Sequence, residues 1–148
     1  MDEFTHKFVT ESNMIEDIKR APTKAEIAEH DRFINLGRIN PEELKKFVSV
    51  YQPDALLRDK SGMNVHIGGC ICPLGGFNIV EELYDLLFRI NSFTPYELHI
   101  RYEHLHPFTD GNGRSGRALW AWQMLNIGRN ISLGFLHHFY YQALAYRG

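Results

Sequence analysis

Apolar residues recur every three or four positions over most of the chain, the spacing that buries one face of an α-helix. The pattern predicts a short helix at 11–20, with a narrow apolar stripe of Met14, Ile15 and Ile18. The later stripes are Ile27, His30, Phe33 and Ile34; Leu44, Phe47, Val48 and Tyr51; Val80, Leu83, Leu87 and Ile90; Leu98, Tyr102 and Leu105; and Phe135, Leu136, Phe139 and Leu144. With a further helix from about Arg114 to Ile127, they indicate an all-α protein of about six to seven helices.

Capping residues mark the starts of four of these helices. Thr23 and Thr94 are each followed three residues later by glutamate, the pattern of a capping box. Asn40 precedes a proline, and Asn78 precedes acidic residues in the predicted first turn. Gly128 suits the end of the helix that starts near Arg114.

Four large side chains have predicted environments but no predicted chemistry. We expect His30 at a helix surface or edge and His99 in the interior with a structural partner. Phe108 is predicted to be a core anchor. Because Trp120 and Trp122 cannot both face one core, Trp120 is expected to be partly exposed, either at a subunit contact or on plain surface.

Residues 58–76 break the helical pattern. Met63, Val65 and Ile67 alternate with Asn64 and His66, which is a period of two, and glycine and proline punctuate the segment. The segment is predicted to be an exposed hairpin or flap, and the alternative is a plain connecting loop.

Composition limits the class of protein. The chain has 148 residues, of which 44% are hydrophobic and 23% charged, as expected for one soluble globular domain over 1–148. A net charge of −2 gives no general attraction for nucleic acid, and no apolar run approaches the ~18 residues that span a membrane. The N-terminus lacks the apolar core of a signal peptide, and Cys70 and Cys72 are interpreted as reduced thiols. We therefore expect a cytoplasmic protein without nucleic-acid or membrane partners.

The stretch 106–117 combines groups that seldom occur together in a plain turn. Gly111 and Gly113 lead into a helix, whose free N–H groups and dipole favour an anion. Arg114 and Arg117 lie three positions apart, on one helix face.

A metal ligand and a base accompany this anion site. Asp110 offers an oxygen ligand suited to magnesium, and His106 is a base that works near neutral pH. Together they indicate phosphoryl or nucleotidyl transfer. The alternative is a helix-capping loop with satisfied charges.

The residues at 106–117, His-Pro-Phe-Thr-Asp-Gly-Asn-Gly-Arg-Ser-Gly-Arg, resemble the Fic-domain signature H-P-F-x-[D/E]-G-N-G-R-x-x-R at every fixed position. The resemblance implies a compact helical bundle with a short β-hairpin flap. It also implies transfer of AMP from ATP to a Ser, Thr or Tyr hydroxyl of a target protein, with His106 as base and Asp110 holding Mg²⁺. The residues that it assigns to the nucleotide are Val65, His66, Ile67, Gly68, Gly111, Asn112, Gly113, Arg114, Arg117, Tyr140 and Tyr141.

The flap residues and the pair Tyr140 and Tyr141 are assigned from shorter stretches of resemblance. The stretch Val65–Gly69 resembles the family's flap, which clamps an extended segment of the target by main-chain pairing and lies against the nucleotide. Tyr140 and Tyr141 resemble a tyrosine pair near the adenine, and the alternative is ordinary packing.

The segment 12–17 is similar to an inhibitory motif of some Fic proteins, [S/T]-x-x-x-E-[G/N]. Ser12 and Glu16 match, whereas Asp17 departs from the expected Gly or Asn. The likeness implies that Glu16 pairs with Arg117 and keeps the γ-phosphate out of place. The narrow apolar stripe of this short helix predicts that it docks marginally. On periodicity alone, Glu16 and Asp17 are ordinary solvated residues.

Alternative activities of the same site remain open. A phosphotransferase branch of the family has Lys where this chain has Gly113, so Gly113 favours nucleotidyl transfer. A second hypothesis is removal of AMP from a modified target, with Glu16 placing a water. A third is a non-catalytic module that binds nucleotide or regulates a toxin. Self-modification and a homo-oligomer also remain open.

Overall fold

Six α-helices and one 3₁₀ helix form the regular structure in the computed structural model, which describes residues 3–66, 72–129 and 131. The α-helices are α1 (Glu3–Ile15), α2 (Lys24–Ile34), α3 (Pro41–Tyr51), α4 (Phe77–Phe88), α5 (Pro95–Leu105) and α6 (Asn112–Asn126). The 3₁₀ helix, Ile90–Ser92, lies between α4 and α5. The all-α prediction is confirmed, whereas the helix predicted through Phe135 and Leu144 lies outside the described residues, as do Tyr140 and Tyr141.

Three of the four predicted N-cap residues form the expected capping hydrogen bond. The side chains of Thr23, Asn40 and Thr94 each accept a hydrogen bond from the third residue of α2, α3 and α5. The prediction for Asn78 is wrong, because α4 begins two residues earlier than this cap predicts, at Phe77 after Gly76. The side chain of Asn78 instead donates to the carbonyl of Leu74 at 3.0 Å.

Helix α6 is the centre of the fold and packs against α1, α2, α3 and α5. Trp122 lies in the main core and donates from Nε1 to the carbonyl of Leu36 at 2.7 Å. Trp120 faces the other side of α6, where it stacks on Phe8 of α1 and is 4% exposed. The predicted partial exposure of Trp120 is therefore wrong, because α1 supplies a second core for it.

The N-terminal helix differs from the prediction in extent and in its buried face. It covers Glu3–Ile15 rather than 11–20, and Met14 is 47% exposed. Phe8 and Val9 are each 1% exposed, and burial of such side chains contributes about 1.5–3 kcal/mol each. Helix α1 is thus built into the core, contrary to the marginal docking expected from the sequence.

His30 and His99 are both buried, which contradicts the prediction for His30 and confirms the prediction for His99. His30, expected at a surface or edge, is buried with its ring 4.8 Å from that of Phe8, and burial lowers its pKa to about 4. His99 is buried as predicted, with Nδ1 3.3 Å from the carbonyl oxygen of Gly116. Phe108 is buried as predicted.

The segment 58–76 carries no strand within its described parts, 58–66 and 72–76. An isolated antiparallel bridge joins the preceding residue, Leu57, to Phe108. Val65 is half-buried and His66 exposed, while Ile67 and Gly68 lie outside the described residues. The hairpin and its contact with nucleotide therefore stay predictions. No helix in the described ranges is long and apolar enough to cross a membrane.

Candidate active site

His106 ends α5 in a left-handed conformation, with φ 50° and ψ 61°. The following Pro107 disfavours right-handed helix at this residue, so the chain turns here. The ring Nδ1 lies 3.1 Å from the carbonyl oxygen of Glu103. Because a carbonyl can only accept, Nδ1 carries the proton and Nε2 is left as the base.

The pKa of His106 lies below its ordinary value. Burial is the main cause, opposed by the hydrogen bond to the Glu103 carbonyl. The charge of Arg58 lowers the pKa further, whereas the Glu16 and Asp110 carboxylates raise it. The imidazole is therefore neutral and able to accept a proton over a wider pH range than a free histidine.

Asn112 closes the loop after His106. Its Oδ1 accepts from the Phe108 N–H at 2.9 Å, and its Nδ2 donates to the Phe108 carbonyl at 2.8 Å. The side chain is buried and engaged at both ends. The resemblance assigned Asn112 to the nucleotide, but only its main chain is free for that role.

The loop enters α6 through Gly111, whose φ of 79° favours glycine. The start of α6 has no side-chain cap, so its first N–H groups are available to an anion. The carboxylate of Glu16 already lies against this turn, because a Cβ built on Gly113 would overlap its Oε1 atom. The structure thus brings together Gly111, Gly113 and Glu16 at the electropositive end of the helix.

Arg117, on the next turn of α6, is held by the end of α1. Its Nε donates to Ser12 Oγ at 2.7 Å, and its Nη2 donates to the Ser12 carbonyl and to Glu16 Oε1, both at 2.9 Å. The Arg117 side chain is 4% exposed and that of Glu16 is 40% exposed. Ser12, Glu16 and Arg117 therefore meet as the motif predicts, although Glu16 lies just after the helix rather than within it.

Asp17 explains how Glu16 reaches this position. It adopts a left-handed conformation, φ 63°, and ends α1. The N–H groups of Asp17 and Ile18 donate to the carbonyls of Met14 and Asn13, which is a Schellman motif. Asp17, which departs from the Gly or Asn of the motif, thus takes the left-handed conformation that those two residues tolerate best.

Replacing Asp17 with glycine should stabilise the protein by about 0.5–1 kcal/mol, because glycine adopts this conformation without a Cβ penalty. Asp17→Ala is the matched control and should be less stable than wild type. Urea denaturation midpoints measure both changes. Equal stability of the glycine and alanine variants would contradict the turn geometry.

The remaining charged residues of the loop differ in exposure. Arg114 is buried, with Nη2 donating to Gln52 Oε1 at 3.0 Å. Asp110 is exposed, and its Oδ1 accepts from the Gly111 N–H at 2.8 Å. The described residues contain no group of three or more His, Cys, Asp or Glu that could hold a metal. The exposed carboxylate of Asp110 is a hard oxygen ligand of the kind that magnesium takes together with phosphates.

Residues 77–124 match the model of the Fic/DOC family. The matched range, about a third of the chain, takes in α4, α5, the whole loop 106–117 and most of α6. It supports membership of the Fic/DOC family, and the all-α fold is consistent with it. Ser12 and Glu16 lie before the range. No curated protein and no solved structure matches the chain.

Two residues near the loop 106–117, Arg58 and Glu103, have no marking in the sequence pattern that predicts their roles. Arg58 is fully buried beneath His106, and nothing in a glycine-punctuated segment marks such an arginine. Glu103 has a buried Oε1 atom without a hydrogen-bond partner in the described structure, and burial raises its pKa to about 8. Its position, one turn before His106 on α5, is the only signal that could have pointed to it.

Proposed function

We propose that this protein is an adenylyltransferase that moves AMP from ATP to a Ser, Thr or Tyr hydroxyl of a target protein. The observation that carries the proposal is the arrangement of His106, which has a left-handed backbone. Its Nδ1 is hydrogen-bonded to the carbonyl of Glu103, so Nε2 is left as a base beside the uncapped start of α6. Support also comes from the match of residues 77–124 to the Fic/DOC family.

In the proposed reaction the α- and β-phosphates lie over the main-chain amides at the start of α6. The α-phosphorus forms a bond to the target hydroxyl oxygen, and its bond to the bridging oxygen of pyrophosphate breaks. The hydroxyl proton passes to Nε2 of His106. Arg114 and Arg117 neutralise the phosphate chain, so the protein acts mainly by positioning and charge.

Magnesium is the cofactor that this arrangement would take. When bound, it supplies charge neutralisation at the α- and β-phosphates. Asp110 is the residue proposed to hold it, since its carboxylate is exposed at the loop.

Asp110→Ala should weaken binding of ATP with magnesium more than binding of ATP without metal. Removing the carboxylate removes an oxygen ligand of the metal, while the amides and arginines that bind phosphate remain. Calorimetric titrations with and without magnesium compare the two losses. An equal loss in both titrations would contradict a metal-binding role.

Glu16 is proposed to restrain the transfer reaction. Its carboxylate engages Arg117 and lies against Gly113, so it competes with the γ-phosphate for the same partners. Because Phe8 and Val9 anchor α1 in the core, relief requires movement of the turn at 16–18 and not release of the whole helix. A half-exposed turn can move at small cost in free energy.

The direct test of the proposed activity is mass spectrometry of protein incubated with ATP and magnesium. Glu16→Gly protein, with or without cell lysate, should acquire the mass of AMP on a hydroxyl residue. Failure to modify itself or any lysate protein would contradict adenylyl transfer.

Removal of AMP is a second candidate, favoured by the position of the Glu16 carboxylate against Gly113, where it could orient a water. Wild-type protein added to protein labelled by Glu16→Gly should then release AMP, whereas Glu16→Gly should not. Stable label in the presence of wild type would exclude this reaction for that substrate.

A further inference from the structure

Arg58 makes an unusual set of contacts for a buried charge. Its side chain is 0% exposed, and its hydrogen bonds go to main-chain carbonyls. Nε donates to the oxygen of His106 at 2.7 Å, and Nη2 donates to that of Leu105 at 2.9 Å. Nη1 donates to Met63 at 3.0 Å and to Pro73 at 2.9 Å. One guanidinium thus joins the end of α5 to both ends of the segment 63–73.

The main chain of Arg58 reinforces the same junction. Its N–H donates to the carbonyl of Pro107, and its carbonyl accepts from the N–H of Gly76, both at 2.9 Å. The residue is therefore connected to the active-site loop on one side and to the start of α4 on the other.

Packing alone does not account for an arginine here. Burying a guanidinium is costly, and no carboxylate in the described part of the chain forms an ion pair with Arg58. A planar fork with several N–H donors can bind four carbonyls at once, which neither an aliphatic side chain nor a lysine can do. One of the four belongs to His106, whose left-handed backbone costs energy for a residue other than glycine.

We propose that Arg58 is a positioning residue for transfer: it fixes the left-handed backbone of His106 and ties it to the main chain at Met63 and Pro73. The proposal rests on the proposed function, in which His106 is the base. A single side chain would then hold the base in the orientation that the transfer reaction needs.

Transfer kinetics provide the first test, in protein that also carries Glu16→Gly. Arg58→Met should lower kcat by about 10–100-fold, the effect of misplacing a reacting group by about an ångström. ATP affinity should stay near that of the parent, because Arg58 contacts none of the proposed phosphate-binding groups. Arg58→Lys should recover only part of the rate, and full recovery would contradict the proposal, since three donors cannot bind four carbonyls.

A variant that is merely destabilised serves as control. Ile79→Ala removes a fully buried aliphatic side chain of α4, a helix that lies outside both α5 and the loop 106–117. Assayed below its unfolding temperature, it should keep the parental kcat. A similar loss of kcat in Ile79→Ala would assign the effect of Arg58→Met to stability and overturn the proposal.

Titration of His106 by NMR tests the inference without any transfer reaction. Three charged groups act on this ring, namely Arg58, Glu16 and Asp110, and the positive charge of Arg58 lowers its pKa. In otherwise wild-type protein, Arg58→Met should therefore raise the pKa of His106, whereas Ile79→Ala should leave it unchanged.

The two measurements separate the two proposals. Absence of transfer in the Glu16→Gly parent would refute the proposed function, and the NMR titration would still decide the role of Arg58. An unshifted His106 pKa in folded Arg58→Met overturns the role of Arg58, even where transfer is intact. If Arg58→Met does not fold, the kcat of Arg58→Lys decides whether Arg58 positions His106.

Discussion

Replacement of His106 by alanine is expected to lower the rate of AMP transfer by about 10²–10⁴-fold, the usual effect of losing a general base. Nucleotide binding should persist, because the proposed phosphate site consists of the amides at the start of α6, Arg114 and Arg117. The measurement is a single-turnover rate with the Glu16→Gly protein as the parent, together with ATP affinity.

His106→Asn is the matched control for the backbone. Asparagine tolerates the left-handed conformation of this residue but supplies no base at neutral pH. Both variants should lose the same activity. Parental rates in either variant would show that His106 is not the base.

Glu16→Gly is expected to raise AMP incorporation by about tenfold or more. The charge-assisted bond from Arg117 to Glu16 is of a kind worth about 1.5–3 kcal/mol, and the 40% exposure of Glu16 places it near the lower end. Each ~1.4 kcal/mol corresponds to a factor of ten in rate. Incorporation of labelled AMP per protein measures the gain.

Two further variants show whether the gain comes from freeing Arg117. Glu16→Gln keeps the size of the side chain but removes the charge, so its gain should be smaller. Adding Arg117→Ala to Glu16→Gly should cancel the gain, since the same arginine is needed for the γ-phosphate. An unchanged rate in Glu16→Gly would reject autoinhibition and leave the assignment of His106 untouched.

Local signals in the sequence were enough to predict much of the fold. Helices α2, α3 and α5 begin where Thr23, Asn40 and Thr94 predict, because a cap acts within one turn of the residue that makes it. The loop 106–117 was predicted for the same reason, since its glycines, His106 and Pro107 determine their own backbone conformation.

Contacts between distant parts of the chain could not be predicted in the same way. Trp120 was expected at the surface and His30 at a surface or edge, yet α1 buries both through Phe8. Periodicity identifies an apolar face but not the number of neighbours around a helix, and α6 has neighbours on several sides. Arg58 was missed because its partners are main-chain carbonyls, which leave no trace in the sequence.

For Asp17, the sequence shows the residue type but not the backbone conformation. Its type counts against the inhibitory motif, because aspartate is not the expected residue. The structure gives Asp17 a left-handed backbone, for which Gly, Asn and Asp are the usual residues. Asp17 therefore departs from the motif in residue type but takes a backbone conformation that Gly and Asn also favour.

Incubation with ATP labelled on either the α- or the γ-phosphate tests the central claim most directly. The Glu16→Gly protein is given each label in turn, with cell lysate as a source of targets and Glu16→Gly/His106→Ala as the control. The account predicts label on protein from α-labelled ATP only, and none with the control. Label transferred from γ-labelled ATP, or from neither, would contradict adenylyl transfer at this site.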